Sequence, residues 1–575
     1  MYSYRGGKAF IGVILMDKKI KEKYRFWCIS NAFDSEIKSE LRSITDEKEI
    51  EDRFYKDLEF GTGGLRGIMG AGTNRMNKYT VGRATKGLGE YLTDTYPDCT
   101  DKGVVIAYDT RNNSSEFAEA AADMLTGMGI KVYLFDKPVP TPELSFAVRR
   151  LGCIAGIVIT ASHNPKEYNG YKVYDEFGCQ LVPDKAKEVI KYVNAIKDYG
   201  DISFKGNDAL KQYIDLTDEF AQAVLTQSRI NDAGAKTGLK IVYTPLHGTG
   251  NIPVRRTLEL DGFTDVTVVP EQELPDGSFS TLKSPNPEER TALTLGIELA
   301  ENIGADIVLG TDPDCDRVGV GVRTSDGYKL LTGNQIGALL MDFVLRHTDL
   351  TKYKRPAVVK TVVTSELGAE IAKNKGLAVF STLTGFKYIG EKITQFESDV
   401  PEQEYDFIFG YEESYGYLAG TYARDKDAVV SSMLICEMAA ECRKDGITLT
   451  DRLNSIYSKY GYYHDALDSF TMKGKDGAER IADIMADLRK NGSPIDDTAD
   501  VIDYSVPVAA EPGFGMLPIS NVLKFILNDG SWIAVRPSGT EPKIKIYYSI
   551  KGDDAYTAEQ RLKGCRSRIK ERMGL

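Results

Sequence analysis

Short apolar runs alternate with longer amphipathic stretches along most of this chain. In the first such region, the apolar run 104–108 predicts a buried strand, 115–128 a helix, and 131–135 a second strand. A helical pattern at 141–150 and an apolar run at 153–159 continue the alternation. Strands and helices in this order form a largely parallel sheet with helices on its faces. The pattern therefore predicts an α/β fold.

The same β-α-β-α-β order recurs twice more. The second unit comprises residues 240–243, 254–260, 264–269, 287–303 and 305–309, and the third comprises residues 357–363, 366–375, 377–382, 386–395 and 405–409. In each of the three units, the last strand runs into a polar loop, at 160–164, 311–314 and 411–414. Ligands of open α/β sheets bind beyond the carboxyl ends of the strands. We therefore expect one site assembled from three domains.

The two ends of the chain break this rhythm. The first fifty residues have a helical pattern with mixed charges, and a glycine-rich loop follows at 61–67. After about Gly461 the pattern is typical of a separate α+β domain, in which the loop 536–543 separates two strand-like runs, 532–535 and 544–548. The predicted organisation is an N-terminal extension and helix at 1–44, α/β domains at 45–210, 211–325 and 326–455, and a last domain at 456–575.

The composition is typical of a soluble globular chain. Of the 575 residues, 27% are charged and 42% are hydrophobic, which excludes disorder for the bulk of the sequence. The 72 basic and 84 acidic residues give a net charge of −12, which argues against nucleic acid or an anionic membrane as a partner. No apolar run approaches the roughly 18 residues of a membrane span. Positive charge that binds an anionic substrate must therefore be concentrated locally.

The cysteines and the N-terminus bear on where the protein works. The 8 cysteines show neither a CxxC motif nor zinc-type spacing, so we expect no disulfide framework and a reducing cytoplasm. Arg5 and Lys8 precede the apolar stretch 9–16, which looks like a short signal peptide, but no small-residue cleavage site follows it. An alternative interpretation makes Met16 the natural start and the first fifteen residues an extension.

The loop after the second unit carries three aspartates at alternate positions. Asp312, Asp314 and Asp316 follow an apolar strand, where three carboxylates can converge on one hard cation that relieves their repulsion. The plainer interpretation is a solvated acidic turn. An EF-hand is excluded, because its sixth position holds Arg317 in place of glycine and its twelfth holds Arg323 in place of glutamate. A haloacid-dehalogenase-type phosphatase, with the first aspartate as nucleophile, is the rival.

Three further loops carry groups suited to phosphosugar chemistry. Ser162 is a candidate nucleophile, and the adjacent His163 is more typical of a hydrogen-bonding scaffold than of a base. A serine hydrolase would place its serine in a Gly-x-Ser-x-Gly elbow, which the chain lacks. The loop 536–540 offers a guanidinium, two hydroxyls and a glycine, as a phosphate cradle requires, although an ordinary turn has the same composition. Glu412 and Ser414 could bind sugar hydroxyls.

As a set, these loops resemble those of the α-D-phosphohexomutases. The resemblance covers about residues 45–575, includes all four loops of the family in order, and is closest to the phosphoglucomutase branch. It implies a heart-shaped molecule of four domains. Three would be similar α/β mixed-sheet domains, and the C-terminal domain would be of the TATA-binding-protein-like α+β type.

The resemblance also implies a role for each matching residue. Ser162 would carry the phosphoryl group, Lys172 would act as general acid or base, and His163 would be a third catalytic residue. The Mg²⁺ ligands would be Ser162, through a phosphoserine oxygen, with Asp312, Asp314 and Asp316. The substrate-binding residues would be Thr62, Arg66, Arg317, Thr384, Glu412, Ser414, Lys426, Arg536, Ser538, Gly539 and Thr540.

The implied activity is that of a phosphoglucomutase. It would interconvert α-D-glucose 1-phosphate and glucose 6-phosphate through a phosphoserine enzyme, with glucose 1,6-bisphosphate as intermediate and activator. The mannose/glucose enzymes of the family carry a histidine after the sugar-loop serine, where this chain has 415–417, and tend to carry one where it has Phe386. These departures favour glucose but leave a phosphomannomutase, a phosphopentomutase or a sugar bisphosphate synthase open. A non-catalytic sugar-phosphate-binding protein is a further alternative, and we expect a cytoplasmic monomer or weak dimer.

Overall fold

A computed structural model describes residues 17–61, 63–472, 474–538 and 543–575. Within these residues the chain forms four sheets in succession and one two-stranded ribbon. Three of the predicted substrate-binding residues, Thr62, Gly539 and Thr540, lie outside the described residues.

Three helices precede the first sheet and pack against its domain. They are α1 Lys18–Ile29, α2 Ser35–Ser43 and α3 Glu47–Phe54. Each begins after an aspartate whose side chain accepts a backbone N–H of the first turn, as N-cap residues do. Trp27 is buried at 1% exposure and meets Tyr79 of the first domain edge to face at 6.0 Å. The helices are therefore part of the first domain's packing.

The first domain has a mixed sheet. Its strands are β1 Leu65–Ile68, β2 Val104–Tyr108, β3 Val132–Phe135, β4 Ala155–Ile159, β5 Tyr168–Asp175 and β6 Lys211–Ile214, in the order β1-β5-β4-β2-β3-β6. Its helices are α4 Lys78–Thr95, α5 Cys99–Lys102, α6 Ser114–Gly127, α7 Thr141–Leu151 and α8 Pro183–Ala195. Strand β6 pairs in parallel with β3, so this sheet extends past the predicted domain boundary at residue 210.

The second domain repeats this plan. Its strands are β7 Ile241–Thr244, β8 Val266–Val268, β9 Ile307–Thr311, β10 Val318–Thr324 and β11 Gly327–Leu330, in the order β11-β10-β9-β7-β8. Its helices are α9 Thr217–Leu225, α10 Ala233–Thr237, α11 Asn251–Leu260, α12 Pro270–Glu273 and α13 Thr294–Ile303. The helical element predicted from 287 begins only at Thr294, after a 3₁₀ turn at Arg290–Leu293.

The third domain has a smaller sheet. Its strands are β12 Pro356–Thr361, β13 Ala378–Thr382, β14 Asp406–Glu412 and β15 Gly416–Ala419, in the order β13-β12-β14-β15. Its helices are α14 Gly333–His347, α15 Glu366–Asn374, α16 Phe386–Phe396, α17 Ala428–Lys444 and α18 Leu449–Tyr460. Strand β14 runs through Glu412, so this predicted loop residue is the last residue of a strand.

The C-terminal domain is built differently, on an antiparallel sheet. Its strands are β16 Tyr462–Thr471, β17 Thr498–Asp503, β20 Leu523–Leu527, β21 Trp532–Pro537 and β22 Lys543–Gly552, in the order β16-β22-β21-β20-β17. The ribbon pairs β18 Val508–Ala509 with β19 Met516–Leu517, and the helices are α19 Gly474–Asn491 and α20 Ala555–Met573. Every pairing in the main sheet is antiparallel. The predicted fold class is confirmed.

Contacts between domains bring the strand-end loops of the first three domains together. Thr141 donates its N–H to the Asp314 carbonyl and its hydroxyl to Asp314 Oδ2, both at 2.9 Å. Tyr174 of the first domain donates its hydroxyl to Asp425 of the third at 2.7 Å. The first residue of α17 donates its N–H to the carbonyl of Cys315 at 3.2 Å. The carboxyl ends of the three sheets therefore face one common region.

The state of the cysteines and the length and polarity of the helices bear on the expectations drawn from the composition. All eight cysteines are free thiols with buried side chains. Among the helices in the described part of the chain, none is both long and apolar enough to cross a bilayer.

Candidate active site

Ser162 lies at the turn after β4, directly against the aspartate loop. Its φ is +52°, a left-handed conformation that residues with a side chain rarely adopt. Its N–H donates to Thr160 Oγ1 at 2.8 Å, and its hydroxyl donates to Asp312 Oδ2 at 2.8 Å. The residue is only 7% exposed. The turn thus presents one hydroxyl to a buried carboxylate from another domain.

Three buried carboxylates form the centre of the site. Ligand atoms of Asp312, Asp314 and Asp316 all lie within 4.8 Å of one another. Asp314 Oδ1 and Asp316 Oδ1 are buried and have no hydrogen-bond partner among the described residues, whereas Asp316 Oδ2 lies 2.7 Å from Lys426 Nζ. Buried oxygens without donors are unfavourable, and closely grouped carboxylate oxygens are the ligands that hard divalent cations prefer. The cluster fits a metal ion such as Mg²⁺.

The electrostatics of the cluster differ between its members. Burial, together with the charges of Asp316 and Asp314, raises the pKa of Asp312 well above its usual range. Burial also acts to raise the pKa of Asp314, but the ammonium groups of Lys172 and Lys426 outweigh it and hold that pKa below its usual value. The repulsion within the cluster is therefore balanced by lysines from two other domains.

The two lysines enter the cluster from different directions. Lys172, on β5, places Nζ 3.0 Å from Asp314 Oδ2 and 3.8 Å from Asp316 Oδ2. Lys426, before α17, places Nζ 2.7 Å from Asp316 Oδ2. Burial acts to lower the pKa of Lys172, but Asp314 and Asp316 outweigh it, so the pKa lies above its usual value. In this ion-paired arrangement Lys172 holds its proton.

His163 contacts the serine but carries no charge. Its Nδ1 lies 3.2 Å from Ser162 Oγ. Burial, followed by the charge of Arg317, holds the pKa of His163 well below its usual range. A neutral imidazole at this distance orients the serine hydroxyl and offers no positive charge to a phosphoryl group.

The sugar loop is fixed by one glycine. Glu412, the last residue of β14, accepts the N–H of Gly385 at 2.8 Å. Gly385 has φ +123° and ψ 121°, a combination that side chains disfavour. Thr384 Oγ1 beside it is buried without a partner among the described residues, and Ser414 is half-buried two residues after Glu412. The structure thus brings Thr384, Glu412 and their polar groups to one edge of the third sheet.

Two predicted arginines border the site. Arg317 Nη1 pairs with Glu288 Oε1, and its Nε lies 3.8 Å from Asp316 Oδ1. Burial acts to lower the pKa of Arg317, but Glu288 outweighs it and the pKa is raised. Arg66 Nη1 donates to Asn164 Oδ1 at 3.2 Å, which ties the N-terminal loop to the serine loop.

The C-terminal domain contributes a cationic edge. Arg536 lies near the end of β21 and is paired in register with Lys545 on β22. Ser538 donates its N–H to the Lys543 carbonyl at 2.8 Å, which fixes the start of the predicted phosphate loop. Burial lowers the pKa of Lys545; Glu413 and Glu288 oppose this effect, and Arg536 adds to it. Arg536 and Lys545 both lie close enough to Glu413, in the sugar loop, to interact with its carboxylate electrostatically.

Sequence reasoning missed several residues that the structure places at the site. Arg111 and Asp109 follow β2 and bind the serine loop, although the strand-end rule that selected the other loops applied to β2 as well. Lys545 lies opposite Arg536 in the sheet, but Arg536 was predicted to lie in the loop 536–543, so the predicted strands did not pair the two residues. Glu288 lies in an irregular loop, where no pattern indicates which residue it faces.

Comparisons with known proteins cover most of the chain. Four families described as phosphoglucomutase/phosphomannomutase match in order: α/β/α domain I at residues 57–200, domain II at 218–327, domain III at 332–460 and the C-terminal domain at 471–562. A protein of Staphylococcus haemolyticus named Phosphoglucomutase is 38% identical over 523 residues, which is 88% of this chain and 92% of that protein. A Staphylococcus aureus protein of the same name is 37% identical over 561 residues, 95% of this chain and 98% of that protein.

Solved structures share the architecture. The open form of the Paramecium exocytosis-sensitive phosphoprotein parafusin, a phosphoglucomutase, has a TM-score of 0.71 at 17% identity, covering 91% of this chain and 96% of that one. A phosphoglucomutase/phosphomannomutase family protein of Burkholderia thailandensis has a TM-score of 0.65 at 18% identity, covering 89% and 97%. At these identities the likeness concerns the fold.

The four-domain fold and the full-length relatives define an isomerase of the mutase class. Within that class, the chain belongs to the phosphoglucomutase/phosphomannomutase family. The family resemblance that the loop motifs indicated is confirmed.

Proposed function

We propose that this chain is a phosphoglucomutase that interconverts α-D-glucose 1-phosphate and glucose 6-phosphate through a phosphorylated Ser162 and bound glucose 1,6-bisphosphate. The observation that carries the proposal is the 2.8 Å hydrogen bond from Ser162 Oγ to Asp312 Oδ2. It sets a serine hydroxyl against three carboxylates whose donor set suits a divalent cation. Full-length relatives named Phosphoglucomutase support the same assignment.

The metal site would comprise Asp312, Asp314, Asp316 and an oxygen of the phosphorylated serine. A bound Mg²⁺ supplies positive charge that stabilises the transferring phosphoryl group. The fit rests on the buried Oδ1 atoms of Asp314 and Asp316, which lack hydrogen bonds among the described residues.

The chain's own residues position and move protons. In the forward step the P–Oγ bond of phosphoserine breaks as a P–O bond to a sugar hydroxyl forms, and that hydroxyl loses its proton. Lys172, whose Nζ lies 3.0 Å from Asp314 Oδ2, would accept this proton in its neutral form, which a cation bound to Asp314 and Asp316 would favour by replacing the lysine as their counter-charge. His163 orients the serine through its 3.2 Å contact and stays neutral.

The substrate would lie between the third and fourth domains. Arg536 and Ser538 would bind the phosphate that does not react, together with Gly539 and Thr540, which lie outside the described residues. Around the sugar and the reacting phosphate, the contacts would come from Thr62, also outside the described residues, and from Arg66, Arg317, Thr384, Glu412, Ser414 and Lys426. After the first transfer, the bisphosphate would turn end for end and return its other phosphate to Ser162.

The two aromatic departures support a glucose-type substrate. Phe386 is 3% exposed, within the hydrophobic core of the third domain. Tyr417 is 1% exposed and donates its hydroxyl to the Gly333 carbonyl at 3.0 Å. Neither of these two side chains offers a polar contact to a sugar.

Substrate turnover tests the proposal. We expect the wild-type protein to convert glucose 1-phosphate with a kcat/KM at least about tenfold above those for mannose 1-phosphate and ribose 1-phosphate, without release of inorganic phosphate. Ser162→Ala should abolish turnover, whereas Ser455→Ala, on the exposed surface of α18, should leave it unchanged. Preference for mannose or ribose phosphate would indicate the alternative mutases, and phosphate release would indicate a phosphatase.

A further inference from the structure

One buried arginine holds most of the backbone of the serine loop. Arg111 follows β2, and its side chain is 0% exposed. Its guanidinium donates to four carbonyl oxygens within one short segment: those of Ser162 and Asn164, that of Pro165 at 2.9 Å and that of Tyr168 at 3.2 Å. A guanidinium carries five N–H donors in a rigid plane, so it can donate to several carbonyl oxygens at once.

The partner of this arginine binds the other side of the same turn. Asp109 Oδ2 lies 3.3 Å from Arg111 Nε and accepts the Thr160 hydroxyl at 2.6 Å. Asp109 Oδ1 accepts the Ser114 hydroxyl at 2.7 Å. Since Thr160 Oγ1 in turn accepts the Ser162 N–H at 2.8 Å, the pair fixes the turn from both ends of Ser162.

A third contact places the arginine against the metal-loop domain. The ring of Phe279, in the second domain, lies 5.0 Å from the Arg111 guanidinium carbon. Arg111 therefore lies between the backbone of the serine loop and a segment of the domain that carries the aspartates. The donors of Arg111 bind the serine loop, whereas the phosphate loop belongs to the fourth domain.

The energetics explain why the loop needs these donors. A left-handed backbone at a non-glycine residue such as Ser162 is strained and persists only when the surrounding structure holds it in place. Few backbone hydrogen bonds within the loop hold this conformation. The Asn164 N–H donates to the Ala161 carbonyl at 3.1 Å, and the Tyr168 N–H donates to the Pro165 carbonyl at 3.0 Å. The guanidinium supplies the remaining contacts.

We propose that Arg111 is a positioning residue for phosphoryl transfer at Ser162. It holds the strained turn so that Ser162 Oγ remains at hydrogen-bond distance from Asp312. This inference rests on the proposed function and extends it to a residue that contacts Ser162 through its backbone carbonyl. The affected step transfers a phosphoryl group from glucose 1,6-bisphosphate: the P–O bond to the sugar breaks, the P–Oγ bond forms, and the serine proton leaves with the sugar oxygen.

Arg111→Lys tests the inference, because lysine keeps the charge but loses the planar fork. In a single turnover with glucose 1,6-bisphosphate and Mg²⁺, we expect the rate of Ser162 phosphorylation to fall at least about tenfold, since a displacement of about 1 Å has effects of this size. The final stoichiometry should still reach one phosphate per chain, and the KM for glucose 1-phosphate should stay within about twofold.

Arg83→Lys is the matched control. Arg83 is a buried arginine of the same domain that also donates to a carbonyl, Ile196 at 3.2 Å, and to a carboxylate, Asp57 at 3.3 Å. It lies away from the serine loop, so its substitution should lower the melting temperature without slowing phosphorylation. If Arg111→Lys fails to fold, Asp109→Asn, which weakens the same pair, should show the slow phosphorylation.

The outcomes separate this inference from the function on which it rests. A wild-type protein that takes up no phosphate on Ser162 would overturn the proposed function and this inference with it. A phosphorylated wild type with an equally fast Arg111→Lys variant would overturn the positioning role alone. So would a loss that appears only as a lower final stoichiometry, with the rate per phosphorylated chain unchanged, because that result describes an effect on folding.

Discussion

At the scale of single residues, the site combines backbone strain with buried carboxylate oxygens that lack hydrogen bonds among the described residues. Ser162 has φ +52° and Cys315, between two of the aspartates, has φ +50°, so both loops bend through the left-handed region. Such outliers cluster where function requires a fixed geometry. The three aspartates are nearly inaccessible, and two of them keep oxygens without hydrogen bonds among the described residues. Both features fit the cation that we propose between the two loops.

Removal of the metal gives the first prediction. Dialysis against a chelator should abolish mutase activity, because the ligands that would be lost are those against which Ser162 lies. Added Mg²⁺ should restore the activity, with the rate measured by coupled assay of glucose 6-phosphate. Circular dichroism should be unchanged, since Lys172 and Lys426 already pair with the aspartates. A chelated enzyme that retains its rate would contradict the metal role of the cluster.

The second prediction concerns the phosphate edge. Arg536→Ala should raise the KM for glucose 1-phosphate by about tenfold to a hundredfold, as expected for a charge-assisted hydrogen bond of about 1.5–3 kcal/mol. Arg489→Ala, in the same domain, removes an ion pair with Asp503 at 2.9 Å and should leave KM unchanged. Equal KM values for Arg536→Ala and wild type would place the phosphate elsewhere.

At the scale of elements, much of the organisation could be predicted from hydrophobic patterning. The apolar runs located the parallel strands β2, β3, β4, β9 and β12 to within two residues at each end. The pattern missed the strands that turn back antiparallel after each polar loop, β5, β10 and β15, which give the three sheets their mixed character. These strands follow the polar loops directly, and the polar residues of each loop mask the apolar pattern that would mark the start of the next strand.

Residue motifs predicted which residues lie together better than they predicted the local backbone geometry. The three aspartates and Ser162 were placed together correctly as a site built by several domains. That Glu412 ends a strand and receives the Gly385 N–H could not be predicted, because it depends on the extension of β14 by three residues. Arg111 could not be assigned either, since its four acceptors lie more than fifty residues away in the chain.

The third prediction belongs to the sugar loop. Gly385→Ala should raise the KM for glucose 1-phosphate several-fold and lower kcat, because φ +123° is unsuited to a residue with a Cβ and the N–H that Glu412 accepts would move. Space is not limiting, as an added Cβ would meet nothing closer than 3.8 Å.

Gly376→Ala provides the control in the same domain. Gly376 also has a positive φ, +81°, and an added Cβ there would meet nothing within 4 Å. This variant should lose stability of about 1 kcal/mol without a change in KM. If the two glycine variants have the same KM, the backbone at Gly385 does not position the sugar loop.

At the scale of the whole molecule, the C-terminal domain is joined to the third domain through a buried lysine. Lys524, on β20, is 7% exposed and donates to the Val362 carbonyl at 2.8 Å. Its ammonium also lies 3.7 Å from Glu366 Oε1 and 4.2 Å from the centre of the Trp532 ring. Burial, together with repulsion from Lys360, lowers its pKa to about 7.

This lysine gives the fourth prediction, a pH dependence of stability. Between a folded pKa of about 7 and the ordinary value of 10.5, the unfolded chain binds a proton that the folded chain does not, so stability rises with pH across this window. Relative to wild type, Lys524→Met should therefore be most favourable at pH 6.5 and should lose about 1–2 kcal/mol of that relative stability by pH 9.

Urea unfolding of both proteins at the two pH values measures the difference. Comparing the two proteins at each pH cancels the groups that they share. A difference between them that is constant from pH 6.5 to 9, or that grows in favour of the methionine variant, would show that Lys524 does not titrate in this interval.

The measurement closest to the central claim is the phosphorylation state of the nucleophile. Wild-type protein incubated with glucose 1,6-bisphosphate and Mg²⁺ should gain one phosphate, located at Ser162 by peptide mass spectrometry, and should lose it to added glucose 1-phosphate with formation of the bisphosphate. A phosphate found on Asp312, or a fully active enzyme that never carries one on Ser162, would contradict the account.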